Sequence, residues 1–256
     1  MPLITDPVFY ALAVPAVIFV GMSKGGFGGA MALLGVPMMA LVVSPVAAAA
    51  IMLPILIVMD MVGLWTWRGH FDRQTLKIML PAGVLGIGIG WLTAAWVTAD
   101  HVRLLVGIVA LAFVADYVRR RMKSSPTTAS PHNPVKGGFW GTIAGFTSFV
   151  SHAGGPPYQF YTLPLGQDPK LFTGTSVVFF AVINAVKLIP YFALGQFDAT
   201  NLGTSAVLMP IAPLATIAGA WLVKRMNSAI FYPFMYAMVM FVGIKLVYDG
   251  LAAIMP

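Results

Sequence analysis

Long apolar runs separated by short polar connections set the pattern of this chain. Runs at residues 45–67, 76–97, 102–119, 171–194, 201–223 and 228–250 are each long enough to cross a bilayer, which takes roughly 20 residues at about 1.5 Å per residue. The pattern predicts six full spans. Two further apolar regions, 8–43 and 137–168, are broken near their middles by glycine, serine and proline, leaving arms of about 13 to 17 residues. These are expected as broken or re-entrant helical hairpins. Backbone that leaves helical geometry in hydrocarbon exposes N–H and C=O groups, costing several kcal/mol apiece unless protein, water or a ligand satisfies them. Such interruptions are therefore expected to line a cavity.

Composition agrees with a bilayer as the principal surroundings. Of 256 residues, 59% are hydrophobic and only 9% charged, too little polar surface to coat a water-soluble globule. The chain has no cysteine, which excludes disulfides, thiolate metal sites and cysteine nucleophiles. Its net charge of +7 is explained by basic loops beside lipid and does not call for nucleic acid. The first twenty residues lack a basic n-region and a small-residue cleavage site, so no removable signal peptide is expected.

The basic residues gather in alternate connections: Arg68, Arg73 and Lys77; then Arg119, Arg120, Arg121, Lys123 and Lys136; then Lys170; then Lys224 and Arg225. Placing these in the cytoplasm puts 44–46, 98–101 and 195–200 outside, with both termini outside. Lys245 is expected to snorkel outward beside Asp249. The Pro-, Ser- and Thr-rich segment 123–136 reads as a cytoplasmic linker between residues 1–122 and 137–256. The halves echo each other: "RGHFD" at 68–72 and "LGQFD" at 194–198, "SKGG" at 23–26 and "SHAG" at 151–154, Pro37 and Pro164. The order and spacing of these matches predict an internal repeat. The basic loop at 68–77 corresponds to the poorly charged loop at 194–200, so the halves are expected to be inverted. The expected fold is an all-α polytopic membrane protein, each half a broken hairpin plus three transmembrane helices, as in many secondary transporters.

Candidate chemistry lies at the two interruptions. Ser23, Lys24, Gly25, Gly26, Gly28 and Gly29 combine a cation with glycines that permit unusual dihedrals and could leave amides free for an anion. A helix starting after the break would turn its positive dipole end to the same space. The second tip offers Ser151, His152, Gly154 and Gly155, where a histidine titrating near neutrality could couple anion movement to a proton. Glycine clusters also serve close helix packing, and a lysine at a helix end can snorkel to the headgroups. Asp60 and Lys187 fall inside spans and are expected as a buried pair that could reorganise, with coupling or gating as their role. Asn184, one turn before Lys187, is expected to hydrogen-bond in the same cavity. Asp72 and Asp198 read as helix N-caps, and Trp65, Trp67, Trp91, Trp96 and Trp140 as aromatic belts. "SKGGFGG" lacks the Gly-x-x-x-x-Gly-Lys-Ser/Thr spacing of a phosphate loop, so ATP is not expected. Ser151 and His152 are sequence neighbours, which face different directions on a helix and make no hydrolytic pair.

The "GMSKGGFGGAMALLGVPMM" opening, the "RGHFD" turn and the restart "GGFWGTIAGFTSFVSHAGGPP" resemble the TauE/SafE family of sulfite exporters over essentially the whole chain. The resemblance implies a transporter, not an enzyme, moving sulfite, a sulfonate or a related sulfur anion across the bacterial cytoplasmic membrane, with export as the expected direction. It also maps the family's two tip motifs onto Ser23, Lys24, Gly25 and Gly26, and onto Ser151, His152, Gly154 and Gly155. No cofactor is expected. The expected partners are a small anionic substrate, the lipid bilayer and a coupling proton or other ion. An anion or small-solute channel with two re-entrant hairpins is the alternative.

Overall fold

Polar caps followed by proline start the helices. Asp6-Pro7, Ser44-Pro45, Asn133-Pro134 and Asp168-Pro169 each place a side-chain acceptor at the cap and a residue without an N–H at the first helical position. In the computed structural model, which describes residues 3–29, 32, 34–93, 96, 99–122 and 129–254, these begin α1 (Pro7–Gly26), α3 (Pro45–Thr66), α6 (Pro134–Ser151) and α8 (Pro169–Ala193). Each cap side chain accepts from a backbone N–H of the first turn: Val8, Ala47, Lys136 and Lys170 respectively. Asp72 caps α4 (Arg73–Leu92) and Asp198 caps α9 (Ala199–Leu208), as their positions before the spans predicted. The remaining helices are α2 (Gly35–Met39), α5 (Ala99–Met122), α7 (Gly155–Thr162), α10 (Ile211–Lys224) and α11 (Ser228–Ile254). No strand occurs among the described residues, so the fold is all-α. The cap positions Asp6 and Asn133, Ser44 and Asp168, and Asp72 and Asp198 recur at offsets of about 124 to 127 residues.

Among the described residues, six helices are long and apolar enough to cross a membrane: α1, α3, α4, α5, α8 and α11. Two expectations need correction. The first interrupted region does not divide into two short arms, because α1 runs unbroken for 20 residues through Lys24 and reaches spanning length; the break follows at Phe27 to Gly29. Conversely, the run at 201–223 is not one straight span. It is the pair α9 and α10, bent by 48° where Met209 and Pro210 interrupt the helix, because the proline ring lacks an N–H and crowds the preceding turn. The second interrupted region breaks at the expected place, between Ser151 and Gly155. The linker 123–136 lies outside the described residues over 123–128.

The chain forms two compact units, each drawing helices from both halves of the sequence. One comprises residues 1–71 and 173–225, containing α1, α2, α3, most of α8, α9 and α10; within it α1 packs on α10 and on α3, and α3 packs on α9 and α10. The other comprises 72–172 and 226–256, where α4 packs on α6, α5 on α11, and α7 on α5 and α6. Within each unit the tightest seams are lined by glycine. A Cβ on Gly25 would lie 1.9 Å from the Thr216 carbonyl oxygen of α10, and one on Gly219 would lie 2.1 Å from the Met22 oxygen. In the second unit a Cβ on Gly86 would come within 2.0 Å of the Thr142 oxygen, and one on Gly145 within 1.9 Å of the Gly83 oxygen. Small residues let membrane helices approach until their backbones touch, which supplies dispersion contact where lipid offers no hydrophobic driving force.

Asp72 does more than cap. Its Oδ2 accepts from Thr75 N and Oγ1, from Gln167 Nε2 at 2.9 Å, and lies 3.2 Å from His132 Nε2. Burial pushes this carboxyl up, but the Thr75 hydroxyl, the amides of Gln74 and Thr75 and the His132 charge outweigh it and hold the group below its ordinary 3.8. A depressed folded-state value contributes stability that is complete above the unfolded value and is lost as pH falls through the folded one. Thermal melts on acidification below about pH 4 should therefore show an acid-dependent loss of stability that Asp72→Asn diminishes; an unchanged acid limb would contradict the assignment.

Candidate functional site

The site in the first unit begins with the end of α1. Lys24 sits in the last turn of that helix, with Phe27 at the C-cap. It therefore faces the negative end of the helix dipole, where a cation is favoured, rather than the start of a following helix as the sequence had suggested. The amides of Phe27 and Gly29 both donate to the Ser23 carbonyl, at 2.8 and 3.3 Å, so these two are not free for a ligand. Gly28 and Gly29 then turn the chain with φ of 57° and 78°, a left-handed path that side chains resist.

A helix that ends inside the protein leaves carbonyls without intrahelical partners. Two side chains meet them here. The indole Nε1 of Trp67 donates to the Gly25 oxygen at 2.7 Å, and the Thr173 hydroxyl donates to the Gly26 oxygen at 2.9 Å, both buried. Trp67 is thus a buried clasp and not part of an aromatic belt, whereas Trp65, Trp91 and Trp96 are exposed as belts require. Replacing either donor strands a buried carbonyl. Trp67→Phe and Thr173→Val should each lower stability by about 1–3 kcal/mol, measured by thermal or chaotrope melts in detergent; an unchanged melt for both would show that the tip is held otherwise.

One face of α8 completes the site. Thr173, Val177, Phe180, Asn184 and Lys187 alternate at spacings of four and three, which stacks them along one side of a helix. Thr173 holds Gly26. Val177 fills the space beside Gly63 of α3, where a Cβ would meet its Cγ1 at 2.9 Å. The Phe180 ring lies 5.5 Å from Lys24 Nζ and packs next to Gly29, a cation–π arrangement. Asn184 Nδ2 donates to Asp60 Oδ2 at 2.7 Å. Lys187 follows one turn on.

Asp60 of α3 is the centre. Its Oδ1 forms an ion pair with Lys24 Nζ, while Asn184 holds its other oxygen. Lys187 feels the charges of both Lys24 and Asp60. Exposure is 7% for Lys24, 4% for Asp60, 3% for Asn184 and 0% for Lys187, so bulk water screens none of them strongly. Asp60 stands six residues before the end of α3 and Lys187 six before the end of α8, about 9 Å along each helix. The expected partner of Asp60 was Lys187; the observed ion pair is with Lys24, because the uninterrupted α1 carries its lysine to the level of Asp60. The cluster holds two lysines and one aspartate, so Asp60 is the counter-charge to both, and its removal would leave two buried cations facing each other.

The second tip lies in the other unit. Ser151 ends α6, and its hydroxyl donates to the Thr147 oxygen at 3.2 Å. His152 adopts φ 55°, ψ 24°, left-handed geometry that terminates the helix, as histidine does more readily than most residues. Ala153 N donates to the Thr147 oxygen, and the Thr147 hydroxyl donates back to the Ala153 oxygen at 3.1 Å. This closed knot ties the Thr147 and Ala153 carbonyls together across the break. Gly154 and Gly155 are buried at the start of α7, where Pro156 and Pro157 supply no amide hydrogens.

Residues 13–246, nearly the whole chain, match the family described as Sulfite exporter TauE/SafE. The chain belongs to the TauE/SafE family. It is a multi-pass membrane protein of a transporter family of the sulfite-exporter type. No curated protein and no solved structure matches it.

Of the site residues read from the sequence of this TauE/SafE chain, the structure gathers Lys24, Asp60 and Asn184 by direct contact, with Lys187 in electrostatic range. Ser23 is wholly buried and turns its carbonyl to the cap. Gly25 and Gly26 face the α10 backbone: a Cβ on Gly26 would come within 2.5 Å of the Gly219 oxygen. Their lack of side chains is explained by that seam. Ser151, His152, Gly154 and Gly155 form the other unit's break. Thr173 and Phe180 join the site without having been predicted for it, and Trp67 joins it in place of the aromatic belt expected from its position. The three-and-four stripe on α8 was the available signal for the first two.

Proposed function

We propose that the protein is a secondary transporter that moves a small sulfur oxyanion or sulfonate across the bacterial cytoplasmic membrane, outward, by alternating access. Family membership supports the transporter class and the sulfur anion. The observation that carries the site is the buried Lys24–Asp60 ion pair with Asn184 on the free carboxylate oxygen. An anion arriving at Lys24 competes with Asp60 for the ammonium. Asn184 keeps the displaced carboxylate hydrogen-bonded, and Lys187 supplies the second positive charge it needs. Binding thereby rearranges a charge network in a setting of weak screening, which gives substrate a differential hold on one conformation over another.

Recurrent caps and motifs, together with the alternation of basic loops, support two inverted repeats. In the first repeat α1 pairs with α10 of the second, and in the second repeat α6 pairs with α4 of the first, the reciprocal exchange that a two-fold relation requires. Gly28, Gly29 and the second tip, with His152 as the proton-sensitive group, belong to the same reading. The test is flux into reconstituted liposomes with sulfite, thiosulfate, sulfate, sulfonates and carboxylates, comparing the native chain with Lys24→Ala. A sulfur-anion flux lost in Lys24→Ala is expected; selectivity for carboxylates would overturn the substrate. Trans-stimulated counterflow is expected, and its absence would favour a channel. Proton coupling predicts a pH-dependent rate that His152→Gln flattens.

A further inference from the structure

On the second unit, α5 and α11 run antiparallel, as the approaches of Gly107 to Val247 and Gly250 to Leu104 require. Beside their seam lies a groove of about 460 Å³ lined by Leu111, Val114, Ala115, Val118, Arg119 and Met122 of α5 with Met240 and Ile244 of α11. Every lining side chain but one is apolar. The exception, Arg119, stands exposed toward the end of α5, where the sequence continues Arg-Arg-Met-Lys to residue 123. Asp116, one turn earlier and exposed, is the acidic residue nearest in sequence on this helix. From Leu111 to Met122 the groove extends about 16 Å, against about 15 Å for half of the hydrocarbon core. It therefore runs from one membrane interface to the midplane and no further.

We propose that this groove binds one anionic phospholipid, an acyl chain lying between α5 and α11 and the phosphate on Arg119. A single-leaflet apolar trough explains the chain, and a cation at its interfacial end explains the headgroup charge; a zwitterionic lipid would satisfy the first but, with its ammonium offsetting its phosphate, gain less from the second. The basic residues from Arg119 to Lys123 mark the cytoplasmic leaflet, where anionic lipids raise the local demand for such a site. This inference rests on the chain's place in a membrane and is independent of the substrate proposed above.

The experiment is native mass spectrometry of the detergent-solubilised protein with equimolar phosphatidylglycerol and phosphatidylcholine, paired with thermal shifts on adding each lipid. The native chain should retain phosphatidylglycerol preferentially. Arg119→Gln should bind it about fivefold more weakly, with a smaller loss for phosphatidylcholine, so that the preference between the two lipids narrows. Ala115→Trp, which fills the groove and leaves the arginine in place, should lose both, and Arg68→Gln in the other unit should change neither. Arg119 and Ala115 are exposed, so melts without added lipid should match the native chain and confirm folding. Equal retention of the two lipids by the native chain would overturn the proposal. So would an unaffected Arg119→Gln, or a dimer abolished by Ala115→Trp, which would seat a second copy of the chain on this face.

Discussion

Lys24→Met is expected to abolish transport and to destabilise the protein, and adding Asp60→Asn is expected to restore the stability but not the transport. The single substitution leaves the Asp60 carboxylate buried with Asn184 as its hydrogen-bond donor. Breaking a buried pair in this way costs about 3–5 kcal/mol. Removing both charges relieves that penalty, with the buried Lys187, now lacking its counter-charge, held in its neutral form, and neutral replacements of a buried pair are often neutral or stabilising. A static strut would then be dispensable: the double variant would carry substrate at close to native rate. An anion-binding cation would not be, so the double variant would melt near the native temperature and move nothing. Melting temperature and initial flux in proteoliposomes, measured on the same preparations, separate the two roles.

The second large effect concerns the glycine seams. Gly25→Ala places a methyl 1.9 Å from the Thr216 carbonyl oxygen, and Gly145→Ala places one 1.9 Å from the Gly83 oxygen. In both cases the obstacle is backbone, which cannot rotate aside as a side chain can. Overpacking typically costs about 1–3 kcal/mol and more where whole elements must separate, so both variants should show sharply reduced yields of monodisperse protein and lower melting temperatures. Gly138→Ala on α6 is the control, because nothing lies within 4 Å of the added methyl and alanine favours helix by up to about 1 kcal/mol. Equal melts for Gly145→Ala and Gly138→Ala would show that α4 and α6 are not in backbone contact.

Much of this was legible in the sequence, for reasons that differ by residue. Run length and hydropathy give the spans because a bilayer fixes the length of a helix that crosses it. Asp72 and Asp198 were legible as caps because an Asp before a helical run has a specific acceptor function, and the same reasoning extends to the cap-and-proline pairs at 6–7, 44–45, 133–134 and 168–169. Lys24, Asp60 and Asn184 stood out because a charge in hydrocarbon needs a partner. The identity of that partner did not stand out. It depends on whether α1 stops before Lys24 or carries it one turn further, and four glycines in seven residues conceal the difference: Gly25 and Gly26 are helical, whereas Gly28 and Gly29 turn. The fate of Gly25 rests on Thr216, nearly two hundred residues away in the chain, and no local pattern reveals that contact. Trp67 misled for a similar reason, since a tryptophan at a span end suits either an interface or a buried carbonyl.

The most direct measurement of the central claim is the binding of sulfite and of a simple sulfonate to the purified native protein and to Lys24→Gln by titration calorimetry. The Lys24→Met/Asp60→Asn chain serves as the folded reference. Saturable binding to the native chain, absent from both variants, is the predicted result. Equal binding by the native and doubly substituted chains would contradict it and leave the buried ion pair a structural fastening.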